Sequence, residues 1–580
     1  MPAEGPSDIF SVGSVLYELV TGKRPFGRRT AAETVAAILK EDPAPIAASG
    51  VEIPPALERV ILRCLEREPS NRYQSARDLA FDLRAVQSGS GVAPVLPPPS
   101  RRLTVALAAV LYLLGLWPGV AEKPADSIAV LPFDAAGGDP DAEYLGDGIA
   151  EGVINSLTQA PGLRVIARTT AFRFKGQEVD PGQIGRQLNV RLLLTGRILL
   201  RGDMVTIQAD LVDAATGSQL WGYQYNRRLS DLIAVQEEIA GEIADRLRLR
   251  LTGEQRERLT RRQTRDPEAY QLYLKGRYQW SKRTPEGLAK GIEHFEEAVK
   301  KDPGYALAWA GLADCYNLRS MYAGEPPGDS FARAKAAVLE ALKIDERLGE
   351  AHTSLANMMT LHEWDWAGAE RQFHRSIELS PGYATAHHSY AFFLAAMKRH
   401  PEALASIRRA QSLDPLSLII NAAVARILYG ARRYDQAIEQ CRKTLDMDAG
   451  FAQAHLVLGD VYLKKRMFAE AIAAYEKGAA GNLDTSPELA HGYAVAGRGG
   501  QARRILANLV KLSGERYVSP YDIGWIYAGL GEHGEALRWL EKAYQGRSES
   551  LVYMQVEPLF DNLRSEPGFR ELVRRMGLPP

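Results

Sequence analysis

The chain has 580 residues, which at about 150 residues per domain predicts roughly four units. Lysine plus arginine and aspartate plus glutamate each total 71, and this balance argues against a nucleic-acid binder or a polybasic membrane-surface protein. Hydrophobic content of 46% and charged content of 24% exclude general disorder. Cys64, Cys315 and Cys441 lie far apart, which excludes a disulfide framework and predicts three buried thiols.

The N-terminal segment contains an apolar helical stretch from Asp8 to Thr21. Apolar side chains occupy nearly every side of it, which predicts a helix that is buried all round. Later, Pro69-Ser70-Asn71-Arg72-Tyr73 leads into an amphipathic helix. Together these stretches resemble the end of the C-terminal lobe of bacterial eukaryotic-like serine/threonine protein kinases.

This resemblance implies kinase ancestry for residues 1–87 and structural roles for Asp8 and Arg72. In that family the aspartate matching Asp8 begins the central helix of the lobe and braces the catalytic loop. The arginine matching Arg72 pairs with a glutamate after the activation segment. Glu4 lies too close to Asp8 in sequence to take the role of that glutamate.

Phosphoryl transfer requires a glycine-rich loop, a lysine on the phosphates, a catalytic aspartate and a metal-binding aspartate. The chain contains no His-Arg-Asp or Asp-Phe-Gly sequence. We therefore assign no catalytic, cofactor-binding or metal residues and expect no activity from this chain, with ATP and Mg²⁺ implied only for a full-length kinase. A gene product truncated at an internal Met is the expected explanation, and a pseudokinase remnant is the alternative.

A linker rich in Gly, Ser and Pro at 88–102 precedes the apolar run Leu103–Ala121. The run carries no charged residue, and a helix of this length crosses about 30 Å of hydrocarbon, although Pro118 shortens its uninterrupted part. Arg101 and Arg102 place the N-terminal side in the cytoplasm. The sequence thus predicts a single-pass protein of the bacterial inner membrane with extracytoplasmic C-terminal domains, and a soluble protein with a buried helix is the alternative.

Residues 125–252 show the pattern of a small α/β domain. The apolar run Ser127–Phe133 predicts a buried strand, and helical spacing over Glu143–Ala160 leads to a second strand at Leu163–Ala167. A strand-helix-strand unit of this length suggests parallel pairing. A short helix at Pro181–Leu188 and three further strands joined by hairpin turns complete the prediction, the strands covering Arg191–Leu200, Met204–Val212 and Gln219–Asn226.

Three short motifs in this region resemble the TolB-like N-terminal domain that accompanies tetratricopeptide arrays in bacterial kinases, adenylate cyclases and winged-helix regulators. The motifs are Ala129-Val130-Leu131-Pro132-Phe133, Gly146-Asp147-Gly148-Ile149 and Leu220-Trp221-Gly222. The resemblance implies interaction or sensing and supplies no catalytic residues.

A period of 34 residues runs through the C-terminal half. Ala391, Ala425 and Gly459 repeat at this spacing, as do Tyr390, Val424 and Leu458. Small residues at one position and larger apolar residues at another are typical of helix pairs that pack closely. The pattern resembles the tetratricopeptide repeat, with about eight units over 266–546 and a C-terminal cap at 547–580. The expected fold class is therefore multidomain and mostly α, with one small α/β domain.

Several histidines in the array could suggest a metal site, but the repeat gives another explanation. His387 and His455 are separated by 68 residues, twice the period, and His352 lies 35 residues before His387. We interpret the three as one packing or capping column. Trp364 and Trp366 are interpreted as core or loop anchors rather than as a ligand cage.

Tetratricopeptide families bind peptides or protein segments along the face formed by their first helices. This resemblance implies a partner-binding groove formed by Asp314, Asn317, Phe392, Arg426, Tyr429 and Asp460. Their mixed charges do not identify the ligand. The leading hypothesis is a membrane-anchored signalling or scaffold protein that binds a protein partner and no nucleic acid. The alternatives are an active serine/threonine kinase in the full-length product and a soluble interaction protein.

Overall fold

The computed structural model divides into two units, Met1–Glu122 and Lys123–Pro580. In the first unit the described residues are 5–28, 33–34, 37–38, 41–49, 51, 53–73, 79 and 82. In the second unit they are 127–135, 140–160, 162–177, 180–228, 231–246, 253, 264–479 and 481–579. The linker 88–102 and the apolar run Leu103–Ala121 lie outside these ranges. Within them, no helix combines the length and the apolar character needed to cross a bilayer.

The first unit is built around helix α1 (Gly5–Thr21), which packs against helix α2 (Pro55–Cys64). A Cβ at Gly13 would lie 2.5 Å from the Cβ of Cys64, so the absence of a side chain permits this close crossing. Short 3₁₀ turns lie at Ile46–Ser49 and Pro69–Asn71.

Helix α1 is not buried all round, which corrects the sequence prediction. Leu16 and Tyr17 are buried, but Val15 is 44% exposed and Leu19 is 40% exposed. In the described part of this unit, α2 and the short turns pack on one side of α1 only. The apolar residues on its other side therefore remain in contact with solvent.

The second unit begins with a small α/β part of the chain, which we call the α/β subunit. Its strands are β1 (Ser127–Val130), β2 (Asp134–Ala135), β3 (Arg164–Val165), β4 (Leu192–Arg201), β5 (Met204–Asp213) and β6 (Gln219–Arg228). Its helices are α3 (Pro140–Thr158), α4 (Arg168–Ala171), α5 (Pro181–Leu188) and α6 (Leu232–Arg246), with a 3₁₀ turn at Phe172–Phe174.

The strands form a mixed sheet in the order β3-β1-β4-β5-β6, and β2 pairs with β4. Strands β1 and β3 are parallel, as the strand-helix-strand pattern predicted. Strands β4, β5 and β6 are joined as antiparallel hairpins. Gly202 and Gly217 have φ values of 62° and 69° in the two turns, a backbone region that glycine enters without steric cost.

One face of this sheet carries the hydrophobic core. Helices α3 and α6 pack together and contact β4, β5 and β6. Val153 of α3, Ile239 of α6 and Ile207 of β5 are all fully buried there. The alternation of buried and exposed residues along β5 follows from the two-residue period of a strand with one covered face.

The remainder of the second unit is an array of helix pairs. Within residues 264–479 and 481–579, sixteen helices form eight consecutive pairs. The first helices of the pairs are α7 (Pro267–Ser281), α9 (Ala306–Ala323), α11 (Gly349–Met358), α13 (Ala384–Ala396), α15 (Leu418–Gly430), α17 (Ala452–Lys464), α19 (Pro487–Val495) and α21 (Pro520–Gly529). The second helices are α8 (Pro285–Lys301), α10 (Pro327–Ile344), α12 (Trp366–Leu379), α14 (His400–Leu413), α16 (Tyr434–Met447), α18 (Phe468–Gly478), α20 (Gly499–Leu512) and α22 (His533–Gln545).

The chain ends with 3₁₀ turns at Glu549–Tyr553 and Pro558–Phe560 and with helix α23 (Pro567–Arg575). Other short elements are a π turn at Met359–Glu363 and a 3₁₀ turn at Leu483–Thr485. The predicted fold class, mostly α with one small α/β part, is confirmed.

The small-residue column explains how each helix pair packs closely. Ala391 and Ala425 are fully buried, and a Cβ at Gly459 would lie 2.3 Å from the ring of Tyr475. A larger side chain at these positions would separate the two helices. Successive first helices also contact one another, and we call the surface that they form the inner face.

Candidate functional site

The six residues predicted to form a groove all lie on first helices of the array. Asp314 and Asn317 are in α9, Phe392 is in α13, Arg426 and Tyr429 are in α15, and Asp460 is in α17. They form two groups with different surroundings, one near the α/β subunit and one beside the C-terminal residues. Their role in binding a partner stays a prediction.

The first group links neighbouring repeats. Asp314 accepts a hydrogen bond from the hydroxyl of Ser354 in α11, and the Nδ2 of Asn317 donates to the carbonyl oxygen of Ser354 at 3.3 Å. Nη1 of Arg277 lies 3.6 Å from Asp314 Oδ2. These contacts tie α7, α9 and α11 together along the inner face.

The second group surrounds a buried charge pair. Arg426 forms an ion pair with Asp460, and the hydroxyl of Tyr475 donates to Asp460 at 2.7 Å. Glu557 accepts a hydrogen bond from the Tyr429 hydroxyl and lies 4.0 Å from Arg426. Burial, and then the charge of Asp460, raise the pKa of the Glu557 carboxyl above its ordinary value.

Glu557 belongs to a stretch that runs along the inner face, residues 548–563, which we call the C-terminal segment. The Tyr553 ring lies 5.9 Å from that of Phe392, centroid to centroid. Nζ of Lys464 donates to Pro558 O at 2.8 Å and to Asp561 at 2.9 Å. The segment therefore contacts α13, α15 and α17, which belong to three different repeats.

Apolar residues of the C-terminal segment are part of the core. Leu551, Val552, Met554, Phe560 and Leu563 are all fully buried. Burial stabilises such a side chain by about 1.5–3 kcal/mol relative to its exposure. The predicted groove positions Phe392, Arg426 and Tyr429 are thus in contact with an integral part of the chain.

Sequence reasoning missed these contacts because the 34-residue period relates neighbouring repeats only. Tyr429 and Glu557 are separated by 128 residues, and Glu557 lies beyond the last helix pair. Its only signal was the cluster of acidic and aromatic residues after Gln545. The predicted cap, 547–580, includes both this segment and helix α23, where Arg575 pairs with Glu541 of α22 at 2.8 Å, but the prediction did not anticipate the contacts of the C-terminal segment with inner repeats.

The α/β subunit packs against the beginning of the array through a buried charge cluster. Oε2 of Glu151 in α3 lies 2.9 Å from Nε of Arg168, and its Oε1 lies 3.4 Å from Nε of Arg277 in α7. The Tyr270 hydroxyl donates to Gly148 O at 3.0 Å. One carboxylate therefore lies within ion-pair distance of an arginine on each side of this contact.

A second set of contacts joins the α/β subunit to loops between repeats. Thr170 Oγ1 donates to Asp414 at 2.6 Å and accepts from Leu416 N at 2.8 Å. Gly382 N donates to Thr158 O at 3.1 Å. Burial raises the pKa of Asp414 to about 6. We call these two sets of contacts together the seam.

The histidine column has the capping role predicted for it. Nε2 of His352, His387 and His455 contacts a backbone carbonyl six residues earlier, at 2.9, 3.1 and 2.9 Å respectively. Asn421 Nδ2 makes the same bond at 2.8 Å. No group of His, Cys, Asp or Glu in the described residues is arranged to hold a metal ion.

The two tryptophans were predicted to be core or loop anchors, and the structure shows that they join the third repeat to the C-terminal residues. The rings of Trp364 and Tyr544 are 5.0 Å apart, and the guanidinium of Arg547 lies 3.9 Å from the Trp364 ring. Nε1 of Trp366 donates to Met576 O at 2.9 Å.

In the first unit, Arg72 donates to Glu66 O at 2.6 Å and to Arg67 O at 2.9 Å. Its guanidinium lies 4.6 Å from the ring of Phe10. Asp8 lies in α1, and its side chain is outside the described residues, as is Glu4. The kinase-type roles of Asp8 and Arg72 stay predictions.

Comparison with family models identifies three parts of the second unit. Residues 124–240 match the second domain of HilA/YgeH-like transcriptional regulators. Residues 423–487 and 521–545 match tetratricopeptide repeat models. The tetratricopeptide repeats are thus confirmed, whereas the TolB-like interpretation stays a prediction.

Two relatives are each similar to part of the chain. The chain is 35% identical over 241 residues to putative adenylate cyclase 3 of Rhizobium meliloti, which covers 41% of this chain and 40% of that protein. It is 37% identical over 83 residues to serine/threonine-protein kinase PknB of Mycolicibacterium smegmatis, which covers 14% of this chain and 13% of the kinase. The chain therefore spans less than half the length of either relative.

Among solved structures, that of Pseudomonas aeruginosa pilF is similar with a TM-score of 0.27 and 19% identity. The similarity covers 47% of this chain and 98% of pilF.

Proposed function

We propose that the chain is a membrane-anchored signalling scaffold of the bacterial inner membrane that binds a protein partner. The observation that carries this proposal is the array of eight helix pairs, two parts of which match tetratricopeptide repeats. Such arrays expose extended surfaces suited to protein binding.

The N-terminal unit supports a link to kinase signalling. The resemblance of residues 1–87 to a kinase C-terminal lobe agrees with the chain's similarity to PknB over 83 residues, and the sequence lacks the motifs required for phosphoryl transfer. We infer that this unit derives from a receptor-type serine/threonine kinase and transfers no phosphate in this chain. The alternative, an active kinase, belongs to a full-length gene product.

The membrane anchor in this proposal is the run Leu103–Ala121, which follows Arg101 and Arg102. By the positive-inside rule the N-terminal unit lies in the cytoplasm and the second unit lies outside it. The α/β subunit would then serve as a TolB-like interaction or sensing domain beside the array.

Cross-linking in cells that natively express the chain tests partner binding. A lysine-reactive cross-linker followed by mass spectrometry should give links between one recurrent protein and residues 264–579. Links confined to the chain itself would contradict the scaffold proposal. Lys300 at the end of α8 is exposed and offers a reactive position on the array.

Two further measurements address the anchor and the kinase alternative. The chain should remain with membranes after carbonate extraction, and its release would favour the soluble alternative. Incubation of the purified chain with labelled ATP and Mg²⁺ should give no transfer above background. Transfer that increases with protein concentration would favour the active-kinase alternative.

A further inference from the structure

The α/β subunit has a second sheet face, on the side opposite helices α3 and α6. Residues of β4, β5 and β6 that alternate with the buried ones point to this side. We call this surface the open sheet face and define it by Arg197, Arg201, Met204, Gln208, Gln224 and Arg228. All six are exposed, so no described element of the second unit covers them.

The strand register places these residues in two rows. Arg201 pairs with Met204, which pairs with Arg228. Arg197 pairs with Gln208, which pairs with Gln224. From the ordinary spacing of strands and residues, Arg201 and Arg228 are about 10 Å apart and Arg197 and Arg201 about 13 Å apart at their Cα atoms.

Several other basic residues of the same subunit form ion pairs with carboxylates. Lys175 pairs with Asp147, Arg191 pairs with Asp213, and Arg227 pairs with Glu238. In contrast, no described carboxylate forms an ion pair with Arg197, Arg201 or Arg228. The open sheet face therefore presents three positive charges without an acidic partner.

Two acidic residues lie on this face, and among the described residues neither forms an ion pair with one of the three arginines. Asp134 of β2 is exposed and is the register partner of Arg197. Asp210 lies on the same face, but its oxygens accept hydrogen bonds from the side chains of Gln208 and Gln219, at 2.9 and 2.6 Å. The side-chain amides of Gln208 and Gln219 thus orient the carboxylate of Asp210. They leave the three guanidinium groups for an external anion.

The number and spacing of the arginines identify the ligand class. Recognition of anionic membranes commonly uses clusters of about 4–8 basic residues, and proteins that bind duplex DNA make about 6–10 phosphate contacts. Three arginines are too few for either surface. They suit a short peptide, because arginine binds carboxylates in a bidentate manner and side chains four residues apart in an extended chain lie on one side at about 13 Å, the spacing of Arg197 and Arg201.

We propose that the open sheet face binds an acidic polypeptide segment of a partner protein, with carboxylates at Arg197, Arg201 and Arg228. This inference rests on the proposed scaffold function and names the partner's chemistry and the surface that it contacts. The inference also uses a surface other than the inner face, because Phe392, Arg426 and Tyr429 of the inner face already contact the C-terminal segment.

The test is fluorescence anisotropy of the full chain with a labelled peptide of alternating glutamate and serine. Binding should weaken as salt concentration rises. The triple substitution Arg197→Gln, Arg201→Gln and Arg228→Gln should weaken binding at least about tenfold, which corresponds to 1.4 kcal/mol. A peptide with glutamine in place of glutamate should not bind.

The matched control removes three exposed arginines from the repeat array, as Arg371→Gln, Arg442→Gln and Arg516→Gln. It makes the same change in net charge and should leave peptide binding unchanged. Equal loss in both triple variants, or no binding by the unaltered chain, would overturn the proposal. Tighter binding to phosphatidylglycerol vesicles or to single-stranded DNA than to the peptide would also overturn it.

The scaffold proposal is tested separately by cellular cross-linking. A recurrent partner that cross-links to the array, combined with no binding of the acidic peptide, would reject the open sheet face and retain the scaffold. Absence of any partner would reject the scaffold itself, whatever the peptide does.

Discussion

At the residue scale, the repeat explains polar residues that look functional in isolation. His387, Asn421 and His455 occupy one column at intervals of 34 residues, and each side chain contacts the carbonyl oxygen six residues earlier. Trp309 Nε1 makes the corresponding bond to Pro303 O. All four positions share one requirement, a side-chain nitrogen that donates to the backbone carbonyl six residues earlier. A buried carbonyl without a hydrogen-bond partner is costly.

A prediction at the residue scale concerns the protonation of Asp522 and its effect on stability. Burial, and then the charges of Glu488 and Glu549, raise the pKa of Asp522 to about 8. Between its ordinary pKa near 4 and about 8, the folded state retains a proton that the unfolded state releases. Stability therefore falls as pH rises through this interval and levels off above it.

Asp522→Asn removes this titration and should increase stability at pH 8. The side chain keeps some solvent contact, so we expect a gain of about 1–2 kcal/mol at pH 8 and almost no gain at pH 4. Urea unfolding at several pH values measures the difference between variant and unaltered chain. The exposed Asp446→Asn provides the control, and a difference independent of pH would contradict the assignment.

At the element scale, the C-terminal segment connects repeats that are distant in sequence. The Pro558–Phe560 turn contacts α17 and α21, while Tyr553 contacts Phe392 of α13. An end cap covers only the last repeat. The C-terminal segment instead stabilises inner helices of several repeats, which gives the array a long-range contact that simple repeat stacking lacks.

Phe560→Ala tests this role. Loss of a fully buried phenylalanine should destabilise the array by about 3–5 kcal/mol. Hydrogen exchange should show reduced amide protection in α17 and α21 as well as in α23. Val510→Ala, at a side chain that is 38% exposed, should change little, and loss of protection confined to α22 and α23 would support a simple end cap.

At the scale of the second unit, the seam joins the α/β subunit to the array. Glu151 forms ion pairs with an arginine of the α/β subunit and an arginine of the array. Thr170 forms hydrogen bonds with Asp414 and Leu416 in a loop between repeats. Breaking a buried ion pair is commonly costly by several kcal/mol. The α/β subunit and the first repeats should therefore open together.

Gly382→Ala should uncouple the opening of the α/β subunit from that of the first repeats. A Cβ at this position would lie 2.9 Å from the carbonyl oxygen of Thr158, so the loop and the end of α3 must separate. We expect a loss of about 1–3 kcal/mol and different hydrogen-exchange opening energies for residues 127–228 and 264–479. Gly534→Ala, where a Cβ meets no atom within 4 Å, is the control, and equal opening energies in both variants would contradict the coupling.

Local patterns predicted much of the fold because they depend on neighbouring residues. The two-residue alternation identified β4–β6, and the turns at Gly202 and Gly217 followed from glycine's access to positive φ. Other positive-φ positions gave no such signal. Trp364, Lys398, Arg432 and Arg466 adopt φ values of 59–62° at 34-residue intervals, and these residue types are not specific for that conformation.

The sequence by itself determined the helix pairs, the small mixed sheet and the capping histidine column, because periodicity and local backbone preference suffice for them. Only the tertiary structure decided which surfaces are in contact. It placed Glu557 beside Tyr429, Glu151 beside Arg277, and Thr170 beside Asp414. Such contacts depend on how the array curves and where distant segments meet, and packing determines this across separations of 100 residues or more.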